Sequence, residues 1–546
     1  MIQLFAKGPA SKFVQPIHRS TPSLTQEDQM DLSSMLESTA RKFPHKEALV
    51  AADRRYTYTD LVEHSRRAAR VFHDAGLTRG AYVPVITLNT PGFVFAAFGL
   101  WRAGMALAPV NHKLTAPELR FLITHCGATV GVVDATLLDT ARQAAPDVRW
   151  LVTEAASFPE IDVEPGDDFD ALLAAAEPWE GVDVSETETA ELLYTSGTTS
   201  DPKGCIHSHR GITTVAAYCA ISGGLQASDR FLIAMPIWHS SPLNNWFLPM
   251  MFLGGTAVLL REYHPIEFLR TIEQERVTAF FGPAIAYLAP LQATRAAGID
   301  WDAFDLSSAR IWFAGGAPIG KDTMQTMRAA YPSGGFQQVY GMSEMGPVGT
   351  VLRPEDQERK AGSVGHAGMP GVDIRVVTLD GRDALPGETG EIWMRSDTRM
   401  VGYLGNDEAT AKAFDGDWYK SGDLARLDED GYLFIADRIN DMIISGGENV
   451  YTLEVENAAR EHPGVADIAV VSKPHPEWGE TVVAVVVPAA DGGPTLEELR
   501  EFLGERLARY KVPRDLVSID ALPRNPSGKV LKHRLRALVR EGVTAA

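Results

Sequence analysis

From residue 32 onward, apolar positions alternate between helical spacing and short continuous runs. Residues 61–75 carry the spacing of an amphipathic helix, and residues 83–88 read as a strand. Residues 129–133, 256–260 and 311–313 predict further buried strands. Helical and strand patterns that take turns in this way predict α/β architecture with largely parallel sheets. The longest apolar run, residues 246–260, holds Pro249 and Gly254-Gly255 and stops at Arg261. It is too short for a membrane span and predicts a buried helix that turns into a strand.

The texture changes after about residue 370. Residues 373–378 and 390–395 read as β, with turns at Asp380-Gly381 and Pro386-Gly387. Further on come a helix over about 453–461, strands near 466–472 and 481–487, and a helix over about 496–507. That is enough for a separate small α+β domain. The pattern therefore divides the chain into a loose lead-in (1–30), a large α/β domain with parallel-rich sheets and a β-rich subdomain (31–439), and a small α+β domain (440–546).

One segment carries candidate chemistry by itself: Glu191-Leu-Leu-Tyr-Thr-Ser-Gly-Thr-Thr-Ser-Asp-Pro-Lys-Gly204. Its apolar start reads as a strand and the remainder as a tight loop. Such a loop can turn successive backbone N–H groups and hydroxyls onto one anion, and Lys203 adds a mobile positive charge. The GxxxxGK[ST] spacing of a Walker loop is absent.

Composition narrows the classes. The chain has 546 residues, of which 45% are apolar and 22% charged, as in an ordinary globular protein of more than one domain. With 51 basic and 71 acidic side chains the formal charge is −20, which disfavours a nucleic-acid backbone as main partner. It leaves room for ATP, because one local basic residue can serve a phosphate. Cys126, Cys205 and Cys219 form no CxxC pair, so neither a disulfide framework nor a zinc site is expected and a reducing cytoplasm is the expected location. No apolar h-region near the N-terminus and no lipidation or peroxisomal signal at the C-terminus are expected from the residues there.

Four more motifs follow the loop in order: Tyr340-Gly-Met-Ser-Glu344, Trp418-Tyr-Lys-Ser-Gly-Asp423, Asp437-Arg-Ile-Asn-Asp-Met-Ile-Ile-Ser-Gly-Gly447 and Pro523-Arg-Asn-Pro-Ser-Gly-Lys529. As an ordered set they resemble the adenylate-forming superfamily of acyl-CoA synthetases, luciferases and nonribosomal adenylation domains, over roughly residues 32–533. The resemblance implies that Thr195, Ser196, Gly197, Thr198, Thr199 and Lys203 hold the β- and γ-phosphates of ATP. The family usually has glycine where this chain has Ser200. Tyr340 would lie against adenine, Ser343 would meet the α-phosphate, and Glu344 would ligate Mg²⁺, a hard ion suited to carboxylate and phosphate oxygens. Ser343 also reads as a helix N-cap. Asp423 would accept the ribose hydroxyls and Arg438 would contact the ribose and phosphate region, where an interdomain salt bridge is the plainer reading. Gly316, Ala317, Pro318 and Gly341 complete the nucleotide-binding set that the resemblance implies.

By the same resemblance the small domain is mobile. Lys529 reaches across to the α-phosphate and the substrate carboxylate, and Gly446 and Gly447 line a channel for CoA after the domain turns. Paired glycines also suit a simple hairpin turn. The acyl pocket is expected along residues 236–246, 312–318 and 338–349, with Trp238, His239, Asn244 and Gly346 in its walls. For His239 a capped structural role is the alternative. Relatives that activate amino acids place an Asp near residue 238; here Trp238-His239 stand there and no acidic residue precedes Arg261, which argues against an α-amino acid. Asn244, Asn245, Ser240 and Ser241 hint at a polar or aromatic acid unless they only cap a helix, and Gly346 and Gly349 leave room for a ring or a short chain.

The expected activity is an AMP-forming acyl- or aryl-CoA synthetase, with ATP, Mg²⁺, CoA and a small carboxylic acid as ligands and no integral membrane span; a homodimer is left open. A stand-alone enzyme that loads a carrier protein is the alternative. A nucleotide-binding regulator without catalysis is disfavoured by the joint presence of Glu344, Asp423, Arg438 and Lys529. The hinge position, commonly Asp or Lys in the family, is Asn440 here, and hinges need not be charged. Asn440→Pro is expected to slow thioester formation more than adenylation; equal loss in the two half-reactions, measured separately, would place the hinge elsewhere.

Overall fold

The computed structural model describes residues 30–195, 202–317, 319–524 and 529–540. Two large sheets dominate. One has eight strands, and its five central pairings, which link Glu47–Ala51, Thr256–Leu259, Arg230–Ile233, Ala279–Gly282, Ile311–Gly315 and Gly335–Gly341, are all parallel. The other has seven strands, parallel through Arg149–Thr153, Val130–Asp134, Tyr82–Ile86, Ala106–Pro109 and Thr189–Thr195, then antiparallel into Lys203–Ser208 and Gly402–Tyr403.

The largest apolar cluster lies between these sheets and includes Val85 and Leu107 of the seven-stranded sheet, Phe231 and Phe313 of the eight-stranded one, and Phe72, Phe98, Trp101 and Phe247 of the helices between them. Helices Pro265–Glu275, Ala284–Ala297 and Lys321–Ala330 cover the outer face of the eight-stranded sheet, and Ala116–Cys126 and Leu138–Ala144 cover that of the seven-stranded one. The result is the α/β layering that the alternation predicts.

A third sheet of five strands, from Asp373–Val377 to Leu433–Arg438, is antiparallel and shares a core with Leu193 and Cys205 of the seven-stranded sheet and with Met345. The chain then enters a fourth five-stranded sheet at Ile443–Ser445. There Val465–His475 pairs with Gly479–Pro488. Helices Thr452–Arg460 and Leu496–Gly504 pack on one face, and Lys532–Arg540 on the other.

Local chemistry explains where the elements depart from the sequence pattern. The first amphipathic helix starts at Tyr58, not residue 61, because Thr57 and Asp60 form a capping box. Residues 246–260 do turn from helix to strand, through a π-helical turn at Ser241–Phe247, the helix Leu248–Leu253 and the strand Thr256–Leu259. All three cysteines are buried and free. Among the described residues no helix is long and apolar enough to cross a membrane.

The strand Tyr82–Ile86 stops short of residue 88 because Asn89 is diverted to the other large sheet. Its amide donates to the carbonyls of Ile233, Met235 and Leu260 at 3.1, 3.1 and 2.9 Å, and its oxygen accepts from the Ile237 N–H at 2.7 Å. One buried side chain thus ties the two large sheets together and fixes the segment that runs into Trp238 and His239. Asn89→Ala takes their partner from the Ile237 N–H and from the Met235 and Leu260 carbonyls, while the Ile233 carbonyl keeps the Leu260 N–H; each unpaired group costs about 1–3 kcal/mol when buried. A loss of at least ~2 kcal/mol in urea unfolding is expected; a loss under about 0.5 kcal/mol, typical of a surface change, would count against this clamp.

Candidate active site

Thr189–Thr195 and Lys203–Ser208 are adjacent antiparallel strands with Thr195 opposite Lys203. Their connection, with Ser196, Gly197, Thr198, Thr199 and Ser200, lies outside the described residues, as does Pro318. Lys203 and Gly204 belong to a strand rather than to the loop expected there, because antiparallel pairing continues as far as Thr195. The pairing fixes the direction of the Lys203 ammonium, which lies 4.9 Å from the centroid of the Tyr403 ring. The Tyr403 hydroxyl donates to Glu344 Oε1 at 3.3 Å. One tyrosine therefore touches the lysine with its face and the carboxylate with its hydroxyl. Sequence reasoning missed Tyr403, since a single aromatic outside the five motifs carries no signal of its own.

Glu344 sits on the single turn Ser343–Met345. The N-cap expected at Ser343 falls instead on Met342, which makes no side-chain cap, and Ser343 Oγ meets Ser240 Oγ at 2.9 Å. Tyr340, at the end of Gly335–Gly341, donates its hydroxyl to Asp423 Oδ2 at 2.9 Å. Asp423 is 6% exposed, and its other oxygen lies 3.1 Å from Arg438 Nε. These two residues are direct partners across adjacent antiparallel strands. Gly316 and Ala317 follow the strand Ile311–Gly315 and are exposed, and nothing lies within 4 Å of where a Cβ on Gly316 would stand. That is open space at the carboxyl end of a parallel strand, where α/β proteins bind ligands.

Lys529 reaches this cluster from the small domain. It keeps contact with solvent, yet the protein around it desolvates the ammonium enough to lower its pKa, helped by the Arg438 cation and opposed by Asp423 and Glu344. It also bears on His239, whose imidazole burial holds down to about 4 and therefore neutral near pH 7. His239 Nδ1 faces the Ser241 N–H at 3.5 Å, at the start of the π-helical turn, so the capping reading describes one nitrogen of the ring.

The expected pocket polarity is largely consumed by the protein itself. Asn244 donates to Glu191, Asn245 donates to the Pro347 carbonyl, Ser240 pairs with Ser343, and the Ser241 hydroxyl accepts from Trp246. The Trp238 indole N–H donates to His112 Nδ1 at 2.9 Å. Gly346 has φ +87°, and a Cβ there would stand 2.7 Å from Val215 and 2.8 Å from the Thr398 carbonyl oxygen. At Gly349 a Cβ would stand 2.4 Å from the Tyr340 carbonyl oxygen. Backbone packing therefore requires these glycines, which corrects the expectation that they make room for a ring.

Gly446 and Gly447, with φ of +64° and +84°, form a two-residue turn between Ile443–Ser445 and Glu448–Val450, the hairpin alternative named above. At the proposed hinge, the Asn440 carbonyl accepts from Arg536, which also pairs with Asp441 at 2.6 Å.

The AMP-binding enzyme family matches residues 36–404, and the AMP-binding enzyme C-terminal domain matches residues 454–529. The chain belongs to this family. It is 36% identical to a feruloyl-CoA synthase from Amycolatopsis over 91% of this chain and 96% of that protein. An indoleacetate–CoA ligase from Aromatoleum aromaticum is 34% identical over 93% and 98%. The o-succinylbenzoate CoA synthetase of Bacillus subtilis, solved with its acyl-adenylate intermediate, superposes with a TM-score of 0.82 at 28% identity, covering 93% of this chain and 98% of that one. The α/β fold with a smaller α+β domain and the adenylate-forming, AMP-binding class expected from the motifs are those of this family.

Lys529→Ala should lower adenylation by about 10²-fold or more, the cost of removing a cation or donor aimed at developing charge. It should spare thioester formation from a supplied acyl-adenylate. Pyrophosphate release at near wild-type rate in that variant would remove Lys529 from the role.

Proposed function

We propose that this AMP-forming acyl- or aryl-CoA synthetase takes an aromatic carboxylic acid of modest polarity. The convergence of Lys529 with Arg438, Asp423, Glu344 and His239 carries the reading of the reaction. The acid carboxylate attacks the α-phosphorus of ATP; a new P–O bond forms as the bond to the β-phosphate bridge breaks and pyrophosphate leaves. Lys529 stabilises the charge that develops on the reacting phosphoryl oxygens, and Lys203 holds the departing end. Asp423 receives the ribose, with Arg438 beside it and Tyr340 against the base. Positioning and electrostatics supply the rate, and no side-chain nucleophile is needed.

For a metal, Glu344 is the candidate ligand, since no group of three or more His, Cys, Asp or Glu is arranged for one among the described residues. A single carboxylate that shares its ion with phosphates and water suits Mg²⁺. When bound, Mg²⁺ supplies charge neutralisation to the phosphate groups.

In the second half-reaction the small domain turns about Asn440 and brings Gly446 and Gly447 to the CoA arm. The CoA thiol, deprotonated, attacks the activated carbonyl; a C–S bond forms and AMP leaves.

An aromatic acid is favoured because the pocket segment offers Trp238 and His239, with His112 bonded to the Trp238 indole, while the amide nitrogens of Asn244 and Asn245 and the Ser240 hydroxyl are already used within the protein. The relatives named feruloyl-CoA synthase and indoleacetate–CoA ligase point the same way. A panel of arylacetic, arylacrylic, fatty and amino acids, scored by pyrophosphate release with and without CoA, tests the reading. Aromatic acids with CoA as acceptor are expected to lead. A preference for fatty chains overturns the substrate class, and product formed only on a carrier protein overturns the acceptor.

A further inference from the structure

The strand that leads into the phosphate loop holds a carboxyl group that the chemistry above leaves unused. Glu191 lies between Ala190 and Leu192 in Thr189–Thr195 and is 0% exposed. Its flanking strands present Leu107 on one side and His207 on the other. His207 is also fully buried and is held neutral, its pKa pushed down to about 4 by burial.

The Asn244 amide nitrogen donates to Glu191 Oε2 at 2.9 Å. Asn244 is itself 0% exposed and belongs to the π-helical turn Ser241–Phe247. The second oxygen of each group, Glu191 Oε1 and Asn244 Oδ1, is buried without a hydrogen-bond donor.

An ionised carboxylate with one hydrogen bond and no cation is strongly disfavoured in such a place. An acid and a primary amide, by contrast, can satisfy each other twice, because a proton on the acid supplies the donor that the amide oxygen lacks. The two orphaned oxygens are what remains when that proton is left out of the count. We propose that Glu191 is a carboxylic acid in the working enzyme, and that its double pairing with Asn244 locks the phosphate-loop strand to the helical turn beside the acyl pocket.

The lock extends further. Asn245 binds the Pro347 carbonyl at 3.1 Å, and Ser240 meets Ser343 at 2.9 Å. The phosphate-loop strand, the pocket turn and the segment carrying Glu344 thus form one connected frame, in which Glu191 is a positioning residue. Its protonation rests on burial and on the two orphaned oxygens; its effect on catalysis rests on the function proposed above.

Burial pushes the Glu191 carboxyl up to about 8, with the Asn244 amide pulling weakly the other way. Of the groups that face it, Asn244 cannot ionise and His207 is neutral. A folded-state pKa above the unfolded value means a contribution to stability that is complete below the unfolded carboxylate pKa of about 4.3 and lost as pH rises through about 8.

Glu191→Gln keeps a two-bond amide pair and has no proton to lose. It should retain wild-type kcat/KM near neutrality and hold it above about pH 8, where the wild type declines. The wild-type Tm should fall with pH relative to that of this variant. Glu191→Ala, which loses both bonds, should fall toward 10²-fold in kcat/KM for ATP and acid alike. Infrared difference spectra of wild type against Glu191→Gln should show the carbonyl band of a protonated carboxylic acid near neutral pH, and should lose it above about pH 8. Absence of that band, or a Glu191→Gln variant as impaired as Glu191→Ala, overturns the proposal. The band and the Tm slope need no substrate, so they decide protonation even if the acid panel fails.

Discussion

Asp423 is the buried carboxylate on which the site is assembled. It accepts the Tyr340 hydroxyl from the eight-stranded sheet and pairs with Arg438 across its own sheet. Arg438 closes the last strand before the chain crosses to the small domain, and Lys529 returns from that domain into the field of both residues. A buried ion pair is costly unless its geometry is good and its remaining sites are used. Here the Tyr340 hydroxyl meets one carboxylate oxygen and Arg438 the other.

The cations are distributed in a related way. Lys203 is held by strand register and by the Tyr403 ring, which makes it part of the rigid sheet. Lys529 lies shortly before the helix Lys532–Arg540 of the small domain and feels desolvation and Arg438 together. A fixed charge suits the departing phosphates, which need only be held. If the small domain turns as proposed, a charge carried on it suits the reacting phosphorus, because it can be withdrawn before the thiol arrives. The difference lies in which elements carry the two lysines, not in the residues themselves.

Much of the fold was legible because it rests on local periodicity. The helix Tyr58–Asp74, the strands Val130–Asp134, Thr256–Leu259 and Ile311–Gly315, and the change in texture after residue 370 all follow from spacing and turn residues. The ends of elements were less legible. Lys203 reads as loop because glycine, proline and hydroxyl residues precede it, but the strand beside it extends the ladder. The polar residues of the pocket segment read as ligand contacts for a similar reason: the sequence shows that Asn244, Asn245 and Ser240 are polar, but not that Glu191, Pro347 and Ser343 wait for them.

The sequence by itself determined the class of this protein. Five ordered motifs, an alternating α/β pattern and an unremarkable charge and cysteine content lead to an adenylate-forming enzyme with a small C-terminal domain, because motif order and periodicity are properties of the chain. Only the tertiary structure decided which groups share a proton, a carboxylate or an aromatic face. Tyr403 lies between Lys203 and Glu344, Asn89 stitches two sheets, and Glu191 meets Asn244 across 53 positions. Such pairings depend on burial and on contacts distant in sequence, and a hydrogen bond in the interior is set by what remains unpaired once the core has closed.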